Sequence, residues 1–250
     1  VNNFSSTPAT DNANSSRATL SALATTGLTA LEAEIFASIH GAIVEQRLLP
    51  GTRLTEEELS AIYSISRMHI RRILLALAHT GTISLPPGKG ALVARPSADE
   101  ARAVFSARRL IEVRLLEAPE IIPAAKTLKE LQQLVQREGE AAHNLDRVAM
   151  IQLSGAFHVD LARSYGNPVI AEIVGSLITR SSLIIALYQN SATTCCRHDD
   201  HVRLLAILAK KDWKRAGSLM RGHLDAIEAG LNLNTVSGGT QDLRGILAPR

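Results

Sequence analysis

The hydrophobic positions of this chain fall into helical spacing over most of its length, with one short interruption of strand-like pattern. Leu31, Ile35, Ile39, Ala42, Ile43 and Leu48 predict a first helix, which Pro50-Gly51 ends because proline disfavours helix in its predecessor and glycine tolerates positive φ. Thr55 followed by Glu58 has the form of a capping box and predicts a second helix to about Tyr63. Ser64-Ile65-Ser66 reads as a turn. Ser66 then caps a third helix with a buried stripe of Ile70, Ile73, Leu74 and Leu77, leaving Arg67, Met68, Arg71 and Arg72 on a basic outer face. Gly81 closes this helix, and 82–85 and 91–94 read as short strands around Pro86-Pro87-Gly88-Lys89-Gly90. The outline is a helix-turn-helix followed by a hairpin wing.

From Ser97 onward the pattern is helical almost throughout. Helices are predicted over 98–118, 127–142, 145–165, 168–190, 197–209 and 212–231, separated by breakers such as Gly166-Asn167-Pro168. The fold class is therefore mainly α: an N-terminal winged helix-turn-helix over 28–95, joined by Arg95-Pro96-Ser97 to an all-α helical bundle over 96–235. Residues 1–27, rich in Ser, Thr, Asn and Ala, and residues 236–250, with Ser-Gly-Gly, read as flexible tails, and no secretory signal is expected.

Composition adds bounds. With 46% hydrophobic and 20% charged residues among 250, the chain can build one or two proper cores, and a formal net charge of +3 is too small to name a partner by itself. Its two cysteines, Cys195 and Cys196, are adjacent, so no framework disulfide is available and a reducing cytoplasm is the expected compartment. The apolar stretch 169–188 approaches the length of a membrane span. Glu172 and Arg180 argue against one, since a charge at bilayer depth costs ~2.5–3.5 kcal/mol even on the lenient insertion scale. No P-loop, dinucleotide fingerprint, nucleophile elbow or His-Glu-x-x-His helix is present, so no enzymatic activity is expected.

Two sets of residues carry candidate chemistry. A helix entering the DNA major groove needs long cations near its N-terminus, for phosphates and for the acceptor edge of guanine, and Arg67 and Arg71 supply them one turn apart. The candidate DNA-binding set is Arg53, Ser66, Arg67, Met68, His69, Arg71 and Arg72, with Gly88, Lys89 and Gly90 in the wing. In the bundle, His158, His201 and His223 lie on three different helices, which can bring imidazoles into one interior site.

Pro50-Gly51, Glu56 to Leu59, Ser66-Arg67-Met68-His69-Ile70-Arg71 and Gly88-Lys89-Gly90 together resemble the GntR family of bacterial transcription regulators. The chain departs from that pattern at His69, where proline is common, at Arg72, where glutamate is common, and at Glu57, where an arginine often touches DNA. DNA binding in general survives these departures, but an operator sequence cannot be carried over. Further along, Phe157 to Pro168, Asp200-His201, Lys211-Asp212 and Met220-Arg221-Gly222-His223-Leu224 resemble the FCD ligand-sensing domain of the FadR subfamily. That resemblance implies a cytoplasmic homodimer that binds double-stranded operator DNA, responds to a small organic acid and does not engage a membrane. It also implies a divalent transition metal (zinc, nickel or similar) on His158, His201 and His223. The aspartate that joins those histidines in metal-containing relatives is replaced by Ser154, a poor ligand. Arg108, Ser154 and Arg180 are the expected effector-binding residues. Arg108 could instead form an ordinary intrahelical pair with Glu112, and Arg180, set among apolar residues, needs either a ligand anion or a structural carboxylate. The alternatives are a helical metallohydrolase of HD type, prompted by His198-Asp199, and a DNA-binding regulator whose sensor has lost its ligand.

Overall fold

The computed structural model describes residues 27–45, 47–189, 198–233 and 242–248. The expectations for residues 1–26 and for Cys195-Cys196 lie outside the described residues.

Helix α1 (Ala30–Val44) starts at a complete capping box, in which the Thr29 side chain accepts from the Glu32 amide and the Glu32 carboxylate accepts from the Thr29 amide. A short strand β1 (Arg53–Leu54) precedes α2 (Glu56–Tyr63), whose first turn is capped by Thr55 accepting from the Glu58 amide. Ser64, in the left-handed region at φ 54°, ends α2. Helix α3 (Arg67–His79) follows with Ser66 at its N-cap, but the expected side-chain capping bond is not made. Strands β2 (Ile83–Ser84) and β3 (Ala91–Val93) form the hairpin, and β1 adds to it in the order β1-β3-β2, all antiparallel, with Arg53 opposite Leu92 and Ile83 opposite Val93. The third strand was not legible in sequence because two residues leave no alternation to read.

The bundle begins with α4 (Ala98–Arg108), which passes through a π turn at Arg109–Val113 into α5 (Arg114–Glu117). It continues with α6 (Ala125–His143), α7 (Arg147–Arg163), α8 (Pro168–Tyr188), α9 (His198–Ala209) and α10 (Trp213–Ala229). Asp146, Asn167 and Asp212 cap α7, α8 and α10, each carboxylate or amide oxygen taking an otherwise unpaired first-turn N–H. Periodicity located this whole sequence of helices to within a few residues. The π turn was not foreseen. It follows directly on Arg108 and carries Glu112, and both of these side chains point into the bundle, whereas Leu110 between them is exposed.

One expectation about the chain's end is corrected. Within the stretch 236–250, expected to be loose, residues Leu243–Leu247 form a helix, α11, whose Leu243 and Leu247 are buried in the core of the N-terminal head. Arg47 donates to the Ile246 carbonyl at 2.8 Å. The Ser-Gly-Gly composition concealed a two-leucine anchor with its own Asp242 cap.

The head and the bundle also share core residues. Leu183 of α8 belongs to the cluster formed by Ile35, Ile39, Leu59, Ile73 and Leu77, and Val44 of α1 belongs to the bundle's cluster around Phe105, Phe157 and Leu224. Helix α8 is the one described helix long and apolar enough to cross a membrane, and here Val174, Ile178, Ser181 and Ile184 are buried against neighbouring helices.

Candidate DNA-reading surface and metal centre

On the head, the sequence-predicted residues divide into two groups. Arg67, Met68 and Arg71 project from the first turns of α3 into solvent. Arg67 lies 3.3 Å from Glu57, and Arg71 makes two parallel hydrogen bonds of 2.8 Å to Glu56. Such exposed pairs are worth about 1 kcal/mol or less, so phosphates can displace them. Glu56 is held below the usual carboxylate range mainly by its hydrogen bond with Arg71.

His69 and Arg72 are turned the other way. His69 Nδ1 is 2.9 Å from Glu32 Oε1, Arg72 Nη1 is 3.0 Å from the same oxygen, and Arg72 also donates to the Gly27 carbonyl. Glu32 is almost fully buried, and a buried carboxylate recruits every donor in reach. These two residues therefore tie α3 to α1. Arg53 lies on β1 beside the wing, and Gly88, Lys89 and Gly90 form its tip, where both glycines have φ of +73°. That left-handed backbone is the reason glycine stands on each side of Lys89.

In the bundle, His158 on α7, His201 on α9 and His223 on α10 converge, each offering a ring nitrogen within 4.8 Å of the others. Every one of them has a carboxylate on Nδ1: Glu112 at 2.6 Å from His158, Glu138 at 2.7 Å from His201 and Asp200 at 3.3 Å from His223. A carboxylate can only accept, so each Nδ1 carries hydrogen and the Nε2 side is left to act as a donor of electrons. Nε2 of His158 and Nε2 of His201 lie 3.3 Å apart, and Nε2 of His223 is buried without a partner. Burial pushes His158 down to about 4 and His223 down to about 3. Two lone pairs facing each other at that distance repel unless a proton or a metal cation lies between them. A cation with affinity for imidazole satisfies all three nitrogens together, so the donor set fits a divalent transition metal.

The charges around the site point the same way. Glu112, Glu138 and Asp200 are at most 4% exposed, while Arg108, 2% exposed, is the fully buried cation beside them; Arg203 reaches Asp200 from the surface. Burial alone would raise the Glu112 carboxyl, but Arg108 and His158 overturn that and hold it well below the usual range.

Arg108 bonds Glu112 at 2.7 Å, the pairing expected one turn along, donates to Ser181 at 3.1 Å, and lines a cavity with Ser154, His158, Ser181 and Ser182. That cavity measures about 10 Å³, room for about one water. Arg180 does not reach it. Arg180 pairs with Glu100 at 2.5 Å and lies over Gly81, where a Cβ would sit 3.2 Å from its Cγ. Arg180 thus makes a contact between bundle and head, with Glu100 as the structural carboxylate that was one of its two expected partners. His198 and Asp199 sit together at the protein surface, apart from the three histidines. Glu138 was missed in sequence, although a glutamate on the apolar stripe of Leu131, Leu134, Val135 and Ala141 was a visible signal.

A head of three helices with a three-stranded wing, followed by a helical bundle around three histidines, defines a winged-helix protein with a C-terminal helical domain. Residues 31–93 match the model of bacterial regulatory proteins of the gntR family, and residues 103–226 match the FCD domain. The chain belongs to the GntR family, in its FCD-containing branch; it is a DNA-binding transcription regulator and not an enzyme. It is 27% identical over 200 residues to an HTH-type transcriptional regulator in an unstable DNA locus of Streptomyces ambofaciens, covering 78% of this chain and 82% of that one. It is 24% identical over 196 residues to the HTH-type transcriptional repressor NanR of Cronobacter sakazakii, covering 70% and 75%. Its fold is similar to that of a GntR transcriptional regulator from Rhodococcus sp. RHA1, at TM-score 0.71 and 20% identity over 80% of this chain and 97% of that one. Escherichia coli McbR/YncC gives a TM-score of 0.67 at 20% identity over 81% and 97%.

Proposed function

We propose that this chain acts as a cytoplasmic homodimer that reads operator DNA through Arg67, Met68 and Arg71, with Ser66, Arg53 and the Gly88-Lys89-Gly90 tip on backbone phosphates. Its bundle senses a small organic acid beside a divalent transition metal held by His158, His201 and His223. The observation that carries this reading is the convergence of three imidazoles, each backed by a buried carboxylate. When bound, the metal supplies positive charge that can anchor a carboxylate. Arg108 and Ser154 then orient the rest of the acid, with Arg108 turning part of its guanidinium from Glu112 and Ser181 to the ligand.

The cavity is too small for an organic acid as it stands, so binding requires α7 and α8 to separate. Helix α8 also carries Arg180 and Leu183, which touch the head, and its displacement is how occupancy would alter DNA affinity. The test is fluorescence anisotropy on labelled genomic duplexes with zinc-loaded protein and a panel of small carboxylic acids. A shift in DNA affinity that chelation abolishes is expected. The closed cavity also favours a second reading, a sensor that has lost its ligand; DNA affinity that no acid moves, with metal retained, would select it.

A further inference from the structure

We infer that Glu112, Glu138 and Asp200 are positioning residues for the metal centre, and that Glu138 is the one whose burial serves no other purpose. The inference rests on the metal reading above. Each carboxylate comes from a different helical segment than the histidine it holds: Glu112 on the π turn holds His158 of α7, Glu138 of α6 holds His201 of α9, and Asp200 of α9 holds His223 of α10. Three Nδ1 hydrogens are thereby directed outward and three Nε2 lone pairs inward, which is the tautomer a metal needs.

The three acids are not equivalent. Glu112 also receives Arg108, and Asp200 also receives Arg203. Glu138 is completely buried, its Oε2 meets His201, and its Oε1 has no hydrogen-bond partner. A buried carboxylate with one oxygen unsatisfied is destabilising unless a cation nearby offsets its charge. A purely structural role would have been served better by a leucine, which would continue the apolar stripe of α6. The arrangement makes sense when His201 must present Nε2 to a cation.

The experiment uses the full chain with zinc as the probe and compares wild type with Glu138→Gln and Glu138→Leu. Zinc affinity is measured by competition with a chromophoric chelator, melting temperature is measured with and without zinc, and the tautomer of His201 is read from its ring-nitrogen shifts in protein labelled at histidine. Zinc affinity is expected to fall by about 10- to 100-fold in both variants. The zinc-free melting temperature should stay level or rise in Glu138→Leu, while the increment on adding zinc shrinks, and His201 should lose its fixed Nδ1–H form. Wild-type zinc affinity in both variants overturns the positioning role and leaves the metal reading standing. So does a lower zinc-free melting temperature with an unchanged zinc increment, which marks a structural acid only. A wild type that takes up no zinc overturns both.

Discussion

Leu183 is where the account of coupling between sensor and head can be broken with one substitution. It sits on α8, within one turn of the Ser181 and Ser182 hydroxyls that line the cavity, yet its side chain is 2% exposed in the core of the head. Leu183→Ala removes three carbons from a packed site and leaves space that neighbours on two different units cannot easily fill. Buried leucines in such sites cost ~2–5 kcal/mol on truncation, and the lower half of that range applies if α11 and its leucines shift to close the gap. The chain's single tryptophan, Trp213, lies on α10 and reports the bundle, whereas far-ultraviolet circular dichroism reports all helices. In urea, wild type should unfold in one transition by both probes, because head and bundle share Leu183 and Val44. The variant should unfold earlier, with the dichroism transition preceding that of Trp213, and its DNA affinity should no longer follow the state of the sensor. A loss below about 0.5 kcal/mol with coincident transitions would refute the shared core, since that is the range of ordinary surface changes.

Other consequences follow from the same contacts. Replacing Arg67 or Arg71 with Ala should weaken specific DNA binding by ~1–3 kcal/mol where the side chain reads guanine, whereas Lys89→Ala should lower the salt dependence by about one counterion; anisotropy titrations across salt concentrations separate the two. Truncation after residue 233 should destabilise the head, because Leu243 and Leu247 contribute roughly 1.5–3 kcal/mol each by burial, and a melt unchanged by the truncation would show that α11 does not anchor it. Glu32 is lowered from 4.5 to about 2, first by the Thr29 amide and then by His69. Its folded value is depressed, so its contribution to stability is present above 4.5 and is lost as pH falls through the window toward 2. Glu32→Gln should therefore flatten the acid limb of the stability profile in urea melts across that window; an unaltered limb would remove Glu32 from the account.

Sequence pattern carried the secondary structure far, and the reasons it stopped are physical. Helices with strong apolar stripes, such as α3 with Ile70, Ile73, Leu74 and Leu77, announce themselves because burial follows the 3.6-residue period. The three histidines were legible as a set because they stand on separate helices with family-like neighbours. What surrounds them was not. Glu138 and Glu112 are joined to His201 and His158 only by tertiary packing, across 63 and 46 residues of chain. Likewise the pairing of His69 and Arg72 with the buried carboxylate of Glu32, on another helix, was not legible in sequence. Arg180 is a similar case: sequence showed a charge in need of a partner, and the fold supplied Glu100 from the first turn of α4.

The central claim is that the bundle holds a metal on His158, His201 and His223 within a dimeric regulator. A native mass spectrum of the full chain, incubated with zinc and desalted gently, tests it most directly. The account predicts a dimer carrying one metal ion per chain, with the metal absent from His201→Ala under the same conditions. A wild-type spectrum with no metal at full loading, or a His201→Ala spectrum that retains it, would contradict the claim.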